Sequence, residues 1–398
     1  MPFATVDVGL TLAALPVALA SLYLLVLTLL AAPRRPPSAA APHLRFTVVV
    51  PAHDEEAGIA ATVRSLLATA YPATLRRVVV VADNCTDRTA VRAAAAGAEV
   101  LVRSDPLRRG KGYALAFAFE RILATRWTDA VAVVDADCQA SPNLLDAFAA
   151  RLDAGAMAVQ AANRVGNPHD SWRAALMAIA FTLVNVVRAR GRERLGVSAG
   201  LHGTGMCFAA NVLRRVPHAA FSLVEDLEYG LRLGLAGHRV HFAAEAWVSG
   251  DAPSTRAGGA SQRRRWEDGR RQVARAQART LLRRALETRD PILVDLWLDL
   301  VVPPLARLGL AAVLGGALSV ILSAVAGRAL TAVWPWGLSV AALGVHVGAG
   351  WGLSGTGLGG LAALLHAPAY LAWKLRLALT RTGHPPGTWV RTERGSPP

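Results

Sequence analysis

Cysteine is scarce and scattered in this chain. Only Cys85, Cys138 and Cys207 occur in 398 residues, and no two of them stand in a CxxC spacing. A disulfide framework and a zinc site of ordinary spacing are therefore not expected, and a reducing compartment fits. No aromatic-interleaved basic motif and no zinc-finger spacing is present, so nucleic acid is not an expected partner despite a formal charge of +15. There is no GxxxxGK[ST] stretch, which excludes a Walker loop. No internal repeat or low-complexity tract stands out.

Apolar residues, by contrast, are abundant, at 53 % with a mean hydropathy of +0.34. They concentrate at both ends of the chain, which points to membrane spans rather than an oversized core. The positive charge is carried almost wholly by arginine, and a basic surface facing a membrane is the reading that suits it. The Ala/Arg/Gly-heavy composition resembles that of a GC-rich bacterial genome.

Val8 to Ala32 is an almost uncharged apolar stretch. About 25 helical residues at ~1.5 Å each reach roughly 37 Å, enough to cross a bilayer with some tilt. A cleaved signal peptide is the competing reading. The lack of Lys or Arg before the run, and the length of the run, argue against it. Arg34 and Arg35 follow at once, which places that end in the cytoplasm, and Pro33, Pro36, Pro37 and Pro42 make a stiff linker. From Arg45 the chain reads as an α/β domain. Phe46–Val50, Arg77–Ala82 and Ala130–Val134 are β-branched runs followed by helical stretches, implying a parallel sheet covered on both faces. After Arg289 the sequence turns apolar again. Asp290 to Arg307 reads as interfacial, Leu308 to Gly327 and Leu330 to Gly350 as spans, and Gly357 to Leu379 as an interfacial helix. The expected organisation is an anchor and linker over 1–44, a catalytic domain over 45–289, and membrane helices with a basic tail over 290–398.

Within the middle region, charged residues gather where predicted strands end. Pro51-Ala-His-Asp-Glu-Glu56 follows the first strand, in the crevice where open α/β sheets bind ligands, though charged loops are common there. Asp83, after the second, can accept hydrogen bonds from a base or a ribose, or can cap a helix as Asn84 or Asp87 would. Arg108-Arg-Gly-Lys-Gly112 is a glycine-flanked basic turn before a helix. It can bring Lys111 to a phosphate, or be a solvated loop. Asp135 and Asp137 stand two apart on an extended chain and so share a face, and hard carboxylate oxygens suit Mg²⁺ or Mn²⁺. Glu225 and Asp226 open an amphipathic helix, as caps or as a general base. Gln262-Arg-Arg-Arg265-Trp266 offers an Arg fork for phosphate and an indole to stack on a sugar, or a basic membrane surface.

Taken in order, these pieces resemble the family 2 glycosyltransferases, in particular the membrane-embedded branch with a QxxRW signature, which includes cellulose, hyaluronan and poly-N-acetylglucosamine synthases and ceramide glucosyltransferase. The resemblance covers roughly Phe46 to Gln272 and the flanking membrane layout. It implies a GT-A fold, a Rossmann-like and mostly parallel sheet with flanking transmembrane helices. It also implies a nucleotide-diphosphate sugar donor, usually a UDP-sugar, and Mg²⁺ or Mn²⁺. By position, Glu55, Asp83, Lys111, Asp135 and Arg265 would seat the donor. Asp137, with Asp135, would bind metal, and Asp226 beside Glu225 would be the catalytic base. His202, Gly203, Thr204, Gln262 and Trp266 would line the acceptor side. The expected activity is inverting transfer to a glycan or lipid hydroxyl at the cytoplasmic face of a bacterial inner membrane, with export partners conceivable. The alternative is a catalytically silent nucleotide-binding scaffold for polysaccharide assembly. The first motif reads Ala52-His53-Asp54, where relatives often carry an aromatic residue and Asn.

Overall fold

The computed structural model describes residues 2–38, 40–252 and 256–367. The first element is a long apolar helix, α1 (Pro2–Leu29). The first half of the α/β region then runs β1 (Phe46–Ala52), α2 (Ile59–Leu67), β2 (Arg76–Asp83), α3 (Thr89–Ala95), β3 (Glu99–Arg103), α4 (Lys111–Ala124) and β4 (Ala130–Val133). Each strand is a β-branched run, and the three expected ones fall on β1, β2 and β4. Consecutive residues serve opposite faces. Val48 and Val50 join Ile59, Val63 and Phe148 on one side, while Val49 joins Leu115 and Phe119 on the other. Burial on both faces is why these strands show no polar alternation.

The second half runs β5 (Cys138–Ala140), α5 (Leu144–Asp153), β6 (Ala158–Val165), α6 (Trp172–Thr182), a π-helical turn (Leu183–Arg188), α7 (Ala189–Leu195), β7 (Met206–Ala209), α8 (Ala210–Arg215), α9 (Glu225–Leu235) and β8 (Val240–Gly250). The eight-stranded sheet has the order β3-β2-β1-β4-β7-β6-β8-β5. It is parallel across β3-β2-β1-β4 and between β6 and β8. The pairings β4–β7, β7–β6 and β8–β5 are antiparallel, so the sheet is mixed, and the parallel character expected from the sequence is confined largely to its first half. The reversal has a consequence: β7 starts beside the end of β4, where Gly205 N–H donates to the Val133 carbonyl at 2.9 Å. The loop before β7 is thereby delivered to the carboxyl ends of β1 and β4.

Beyond the sheet come α10 (Arg256–Thr288), α11 (Pro291–Val301), α12 (Leu305–Ala326), α13 (Val333–Leu353) and α14 (Gly357–Leu364). Asp290 caps α11 through the Ile292 N–H at 2.8 Å, with Pro291 at the first helical position. α1 packs with α12 and α13 through Ala20, Leu24, Leu308, Ala312 and Leu343. It is pinned at both ends, by Asp7 accepting from the Thr331 and Ala332 N–H groups and by Thr28 paired with His346. A helix does begin at Gly357, as α14, while residues 368–379 of the expected interfacial segment and the basic tail lie outside the described residues.

Among the described residues, four helices are long and apolar enough to cross a membrane: Ala4–Leu29, Trp172–Leu195, Leu305–Ala326 and Val333–Leu353. Three of them match the expected spans. The fourth lies within the region read as an ordinary α/β domain. Its apolar first half packs against α13 and α14, while Arg188, Arg190, Arg192 and Arg194 crowd its second half. Gly191 is where α1 touches it. A Cβ there would stand 2.8 Å from the Leu27 Cα, a backbone atom that cannot swing aside. Gly191→Ala is expected to cost about 1–3 kcal/mol, read as a lower thermal unfolding midpoint in detergent. An unchanged midpoint would mean that α1 rides loosely on α7.

Candidate functional site

A cleft of about 170 Å³ opens at the carboxyl ends of β1, β2 and β4. Its walls bring together Glu55, Asp83, Lys111, Asp135, Asp137, Gln262 and Arg265. These residues come from five separate stretches of sequence, and each ends or follows a strand or begins or lies in a helix. A roomier cleft of about 320 Å³ lies near Leu44, Asp129 and Arg214, at the other ends of the strands, where none of the expected residues lies.

Asp83 ends β2 and is buried. Its Oδ1 accepts from Arg103 Nη1 at 2.6 Å and from Asn84 Nδ2 at 3.0 Å, which fixes the carboxylate at the cleft wall. Asn84 takes a left-handed φ of 50° and reaches across to accept from the Asp105 N–H. The loops after β1 and β2 are latched together: Asp54 accepts from the Thr86 and Asp87 N–H groups, and Asp87 accepts from the Glu56 N–H. Asp54, Cys85 and Asp87 form the one group of three possible metal ligands among the described residues. The two carboxylates serve this latch and the Cys85 sulfur takes the Asp54 N–H at 3.5 Å, so the group reads as a loop fastener.

Lys111 opens α4 and is the electrostatic centre. Its Nζ lies 2.5 Å from Asp135 Oδ1, 3.6 Å from Glu225 Oε1 and 2.5 Å from the Gly203 carbonyl. Burial alone would lower its pKa, but Asp135, Glu225 and Asp226 outweigh that and hold the ammonium well above its ordinary range. Burial pushes Glu225 up to about 7, with Lys111 opposing and Asp226 adding to the rise. Asp226 is raised as well, by burial first. A carboxylate raised toward neutrality is matched to proton transfer. Gly203, at φ +79°, closes the arrangement. A Cβ there would sit 3.4 Å from Asp226 Oδ2 and 3.5 Å from Lys111 Nζ, so the loop backbone lies against both groups.

Not every expected residue faces the cleft. Thr204 is buried, and its hydroxyl accepts from the Asp135 N–H at 3.1 Å. The His202 N–H donates to Gln160 Oε1 at 2.9 Å, and its ring turns inward, where burial and then Arg192 lower its pKa to about 3. The Trp266 ring lies 5.8 Å from that of Phe181 on α6. Asp137 lines the cleft, and its carboxylate fits the hard-oxygen chemistry of Mg²⁺ or Mn²⁺.

Sequence reasoning passed over Arg103 and Gln160. Gln160 is fully buried in β6, and its amide donates to the Thr204 carbonyl at 2.7 Å, clamping the loop that carries Gly203. Its signal was present: one amide in the otherwise apolar run Ala158-Val-Gln-Ala-Ala162. Arg103 gave no such signal, because its partner Asp83 lies on a neighbouring strand.

This layout has a counterpart among known proteins. The family model described as glycosyltransferase like family 2 matches residues 42–269. The chain belongs to the family 2 glycosyltransferases. The match ends within α10, just past Arg265 and Trp266. Over 93 residues the transferase is 42% identical to a low-salt glycan biosynthesis hexosyltransferase of Haloferax volcanii, a match covering 23% of this chain and 21% of that protein. Over 205 residues it is 33% identical to an uncharacterised glycosyltransferase of Mycobacterium tuberculosis, covering 47% of this chain and 86% of the relative. Among solved structures, a mannosyltransferase from Pyrobaculum calidifontis, in complex with GDP-Man and Mn²⁺, superposes with a TM-score of 0.55. The identity is 19%, over 87% of this chain and 96% of that one. That likeness bears out the expected GT-A type fold.

Proposed function

We propose that the transferase is a membrane-attached inverting enzyme of the QxxRW branch, moving a sugar from a nucleotide-diphosphate donor to a hydroxyl of a glycan or lipid and leaving a β-linkage. The observation that carries this reading is the convergence on Lys111. Asp135 from the end of β4, Glu225 from α9 and the Gly203 carbonyl meet its ammonium at the rim of the cleft that also holds Glu55, Asp83, Asp137 and Arg265. In this reading Glu55 and Asp83 hold the base and ribose, and Lys111 and Arg265 face the diphosphate. Asp226 takes the acceptor proton as the hydroxyl oxygen attacks the anomeric carbon and the nucleoside diphosphate departs. Asp137, with Asp135, would hold Mg²⁺ or Mn²⁺, which when bound neutralises charge on the leaving group. Gln262, with Trp266 and the backbone of the His202–Thr204 loop beside the cleft, would form the acceptor side.

Membrane attachment is supported by side chains that the fold leaves outside. Leu12, Leu15, Leu19 and Leu22 of α1, Leu314 and Ile321 of α12, and Trp334 and Leu338 of α13 are all exposed. An apolar belt of this extent suits lipid. The proposed organisation keeps 1–44 as anchor and linker, 45–289 as catalytic domain and 290–398 as the membrane part, at a bacterial inner membrane with the cleft in the cytoplasm and any export partner beyond.

The test is donor turnover. Protein in detergent, given Mn²⁺ or Mg²⁺, is screened against UDP- and GDP-sugars for release of nucleoside diphosphate. GDP-sugars are included because the mannosyltransferase neighbour was solved with GDP-Man. Release that stops with EDTA and returns with Mn²⁺ is the expected outcome, with an α-linked donor giving a β-linked product. Nucleotide binding without release, even with membrane lipids and oligosaccharides added, would favour the silent scaffold. An α-linked product would overturn inversion.

A further inference from the structure

Behind the loop carrying His202 lies a buried group of charges that the catalytic reading does not use. Arg192 of α7 is its hub. Nε lies 3.2 Å from Asp295 Oδ2, Nη2 lies 2.6 Å from Asp299 Oδ1, and Nη2 also donates to the Tyr23 hydroxyl at 2.9 Å. Tyr23, in α1, donates in turn to Asp295 Oδ1 at 2.8 Å. Asp299 also pairs with Arg188 of the π-helical turn and stands 3.7 Å from Arg270 of α10, which donates to the Asp299 carbonyl. The Arg192 and Asp295 side chains are only 5% and 7% exposed. Four parts of the chain (α1, the α6–α7 segment, α10 and α11) therefore meet at one node.

A buried ion group of this kind returns little net stability, because desolvation offsets most of the attraction between its members. What the guanidinium supplies is a junction: its Nε and Nη2 donate to the Tyr23 hydroxyl while the same planar group pairs with both Asp295 and Asp299, a span that a single ammonium does not cover. The junction borders the proposed site. Arg270 lies about one helical turn past Arg265 and Trp266, so the node anchors α10 close to those residues. On its other side Arg192 reaches the acceptor loop. A Cβ on Gly200 would stand 3.8 Å from Arg192 Nη1 and 3.6 Å from His202 Nε2, so both side chains lie beside the turn that opens the loop.

We propose that Arg192 is a positioning residue: by joining Tyr23 of the N-terminal apolar helix to Asp295 and Asp299, it sets α10 and the His202–Thr204 loop over the donor cleft. The inference rests on the reading of that cleft as the catalytic centre. It makes α1 part of the catalytic device as well as an anchor.

The test uses the full chain in detergent with Tyr23→Phe, Arg192→Lys and Arg192→Met. Two readouts are taken. One is amide hydrogen exchange. The other is nucleoside-diphosphate release from the donor found in the screen, with Mn²⁺ and a total membrane lipid extract as acceptor. Tyr23→Phe keeps the ring and removes only the hydroxyl. It is expected to speed exchange about fivefold or more in 262–272 and 200–206, with β1–β3 unchanged. In the same variant kcat should fall about tenfold, with donor KM within about threefold, because Glu55 and Asp83 lie away from the node. Arg192→Lys should behave like Arg192→Met, since charge without the fork does not suffice. Wild-type exchange and kcat in Tyr23→Phe would overturn the proposal, as would full function in Arg192→Lys or faster exchange spread through β1–β3. If the wild-type protein releases no nucleoside diphosphate, the catalytic reading fails by itself, and the exchange pattern still decides whether the node holds α10 and the loop.

Discussion

Asp226→Asn is expected to bind donor nearly as well as the wild-type protein and to lose transfer by roughly 10²–10⁴-fold, the span that a positioned general base contributes. The substitution is close to isosteric. Asp226 Oδ1 accepts from the Leu227 N–H at 2.8 Å, and the amide oxygen of Asn can do the same, so the start of α9 is preserved. What is lost is the capacity to take a proton. Burial raises the Asp226 pKa and so makes the group a better base than a solvated aspartate, and the acid at 225 sits beside it. Initial rates of nucleoside-diphosphate release across donor concentrations will separate kcat from KM. Glu225→Gln should retain more activity than Asp226→Asn, because Glu225 touches Lys111 and is not the proposed proton acceptor. The reverse order would move the role of base to Glu225. Wild-type rates in Asp226→Asn would remove both the base and the inverting mechanism built on it.

Lys111→Met should have the second large effect, on both stability and turnover. The ammonium is the cation held against Asp135 and Glu225, and it also binds the Gly203 carbonyl. Without it the carboxylates of Asp135, Glu225 and Asp226 are left near one another in a partly buried site. Breaking a fully buried pair costs about 3–5 kcal/mol, and solvent that reaches Asp135 brings the expected loss to about 2–3 kcal/mol. A lower thermal unfolding midpoint will report it. Proton uptake would follow, because a raised carboxylate that loses its cation takes a proton more readily still. With Glu225 already at about 7, the variant should carry it protonated at neutral pH. The same loss of charge beside the diphosphate should reduce turnover by roughly 10²–10³-fold. An unshifted midpoint together with normal turnover would show that Lys111 is peripheral.

The motifs were legible because each couples a local pattern to a place in the fold. A β-branched run followed by an acid puts that acid at the carboxyl end of a buried strand, whatever the rest of the chain does. Asp83 and Asp135 both end up in the cleft for that reason. The apolar helices at the two ends were legible from length and composition alone. Trp172–Leu195 was not. Its arginines break the apolar pattern, and the partners that make the burial of Arg188 and Arg192 tolerable, the carboxylates of α11 and the hydroxyl of Tyr23, are far away in sequence. Arg103 escaped notice for a similar reason, since its partner Asp83 is supplied by strand pairing.

The sequence alone determined the family, the α/β class, three of the strands, and the seven polar residues Glu55, Asp83, Lys111, Asp135, Asp137, Gln262 and Arg265 of the cleft wall. Those are properties of short segments, fixed by hydrophobic period and by which residue follows a strand. Tertiary structure decided the reversal of β7, the inward turn of His202 and Thr204, the withdrawal of Trp266 onto Phe181, and the engagement of Lys111 with Asp135, Glu225 and Gly203. Each of these depends on contacts between groups remote in sequence. Where a buried charge or a polar ring finds its partner is set by which elements the whole fold packs side by side, and no local pattern records that.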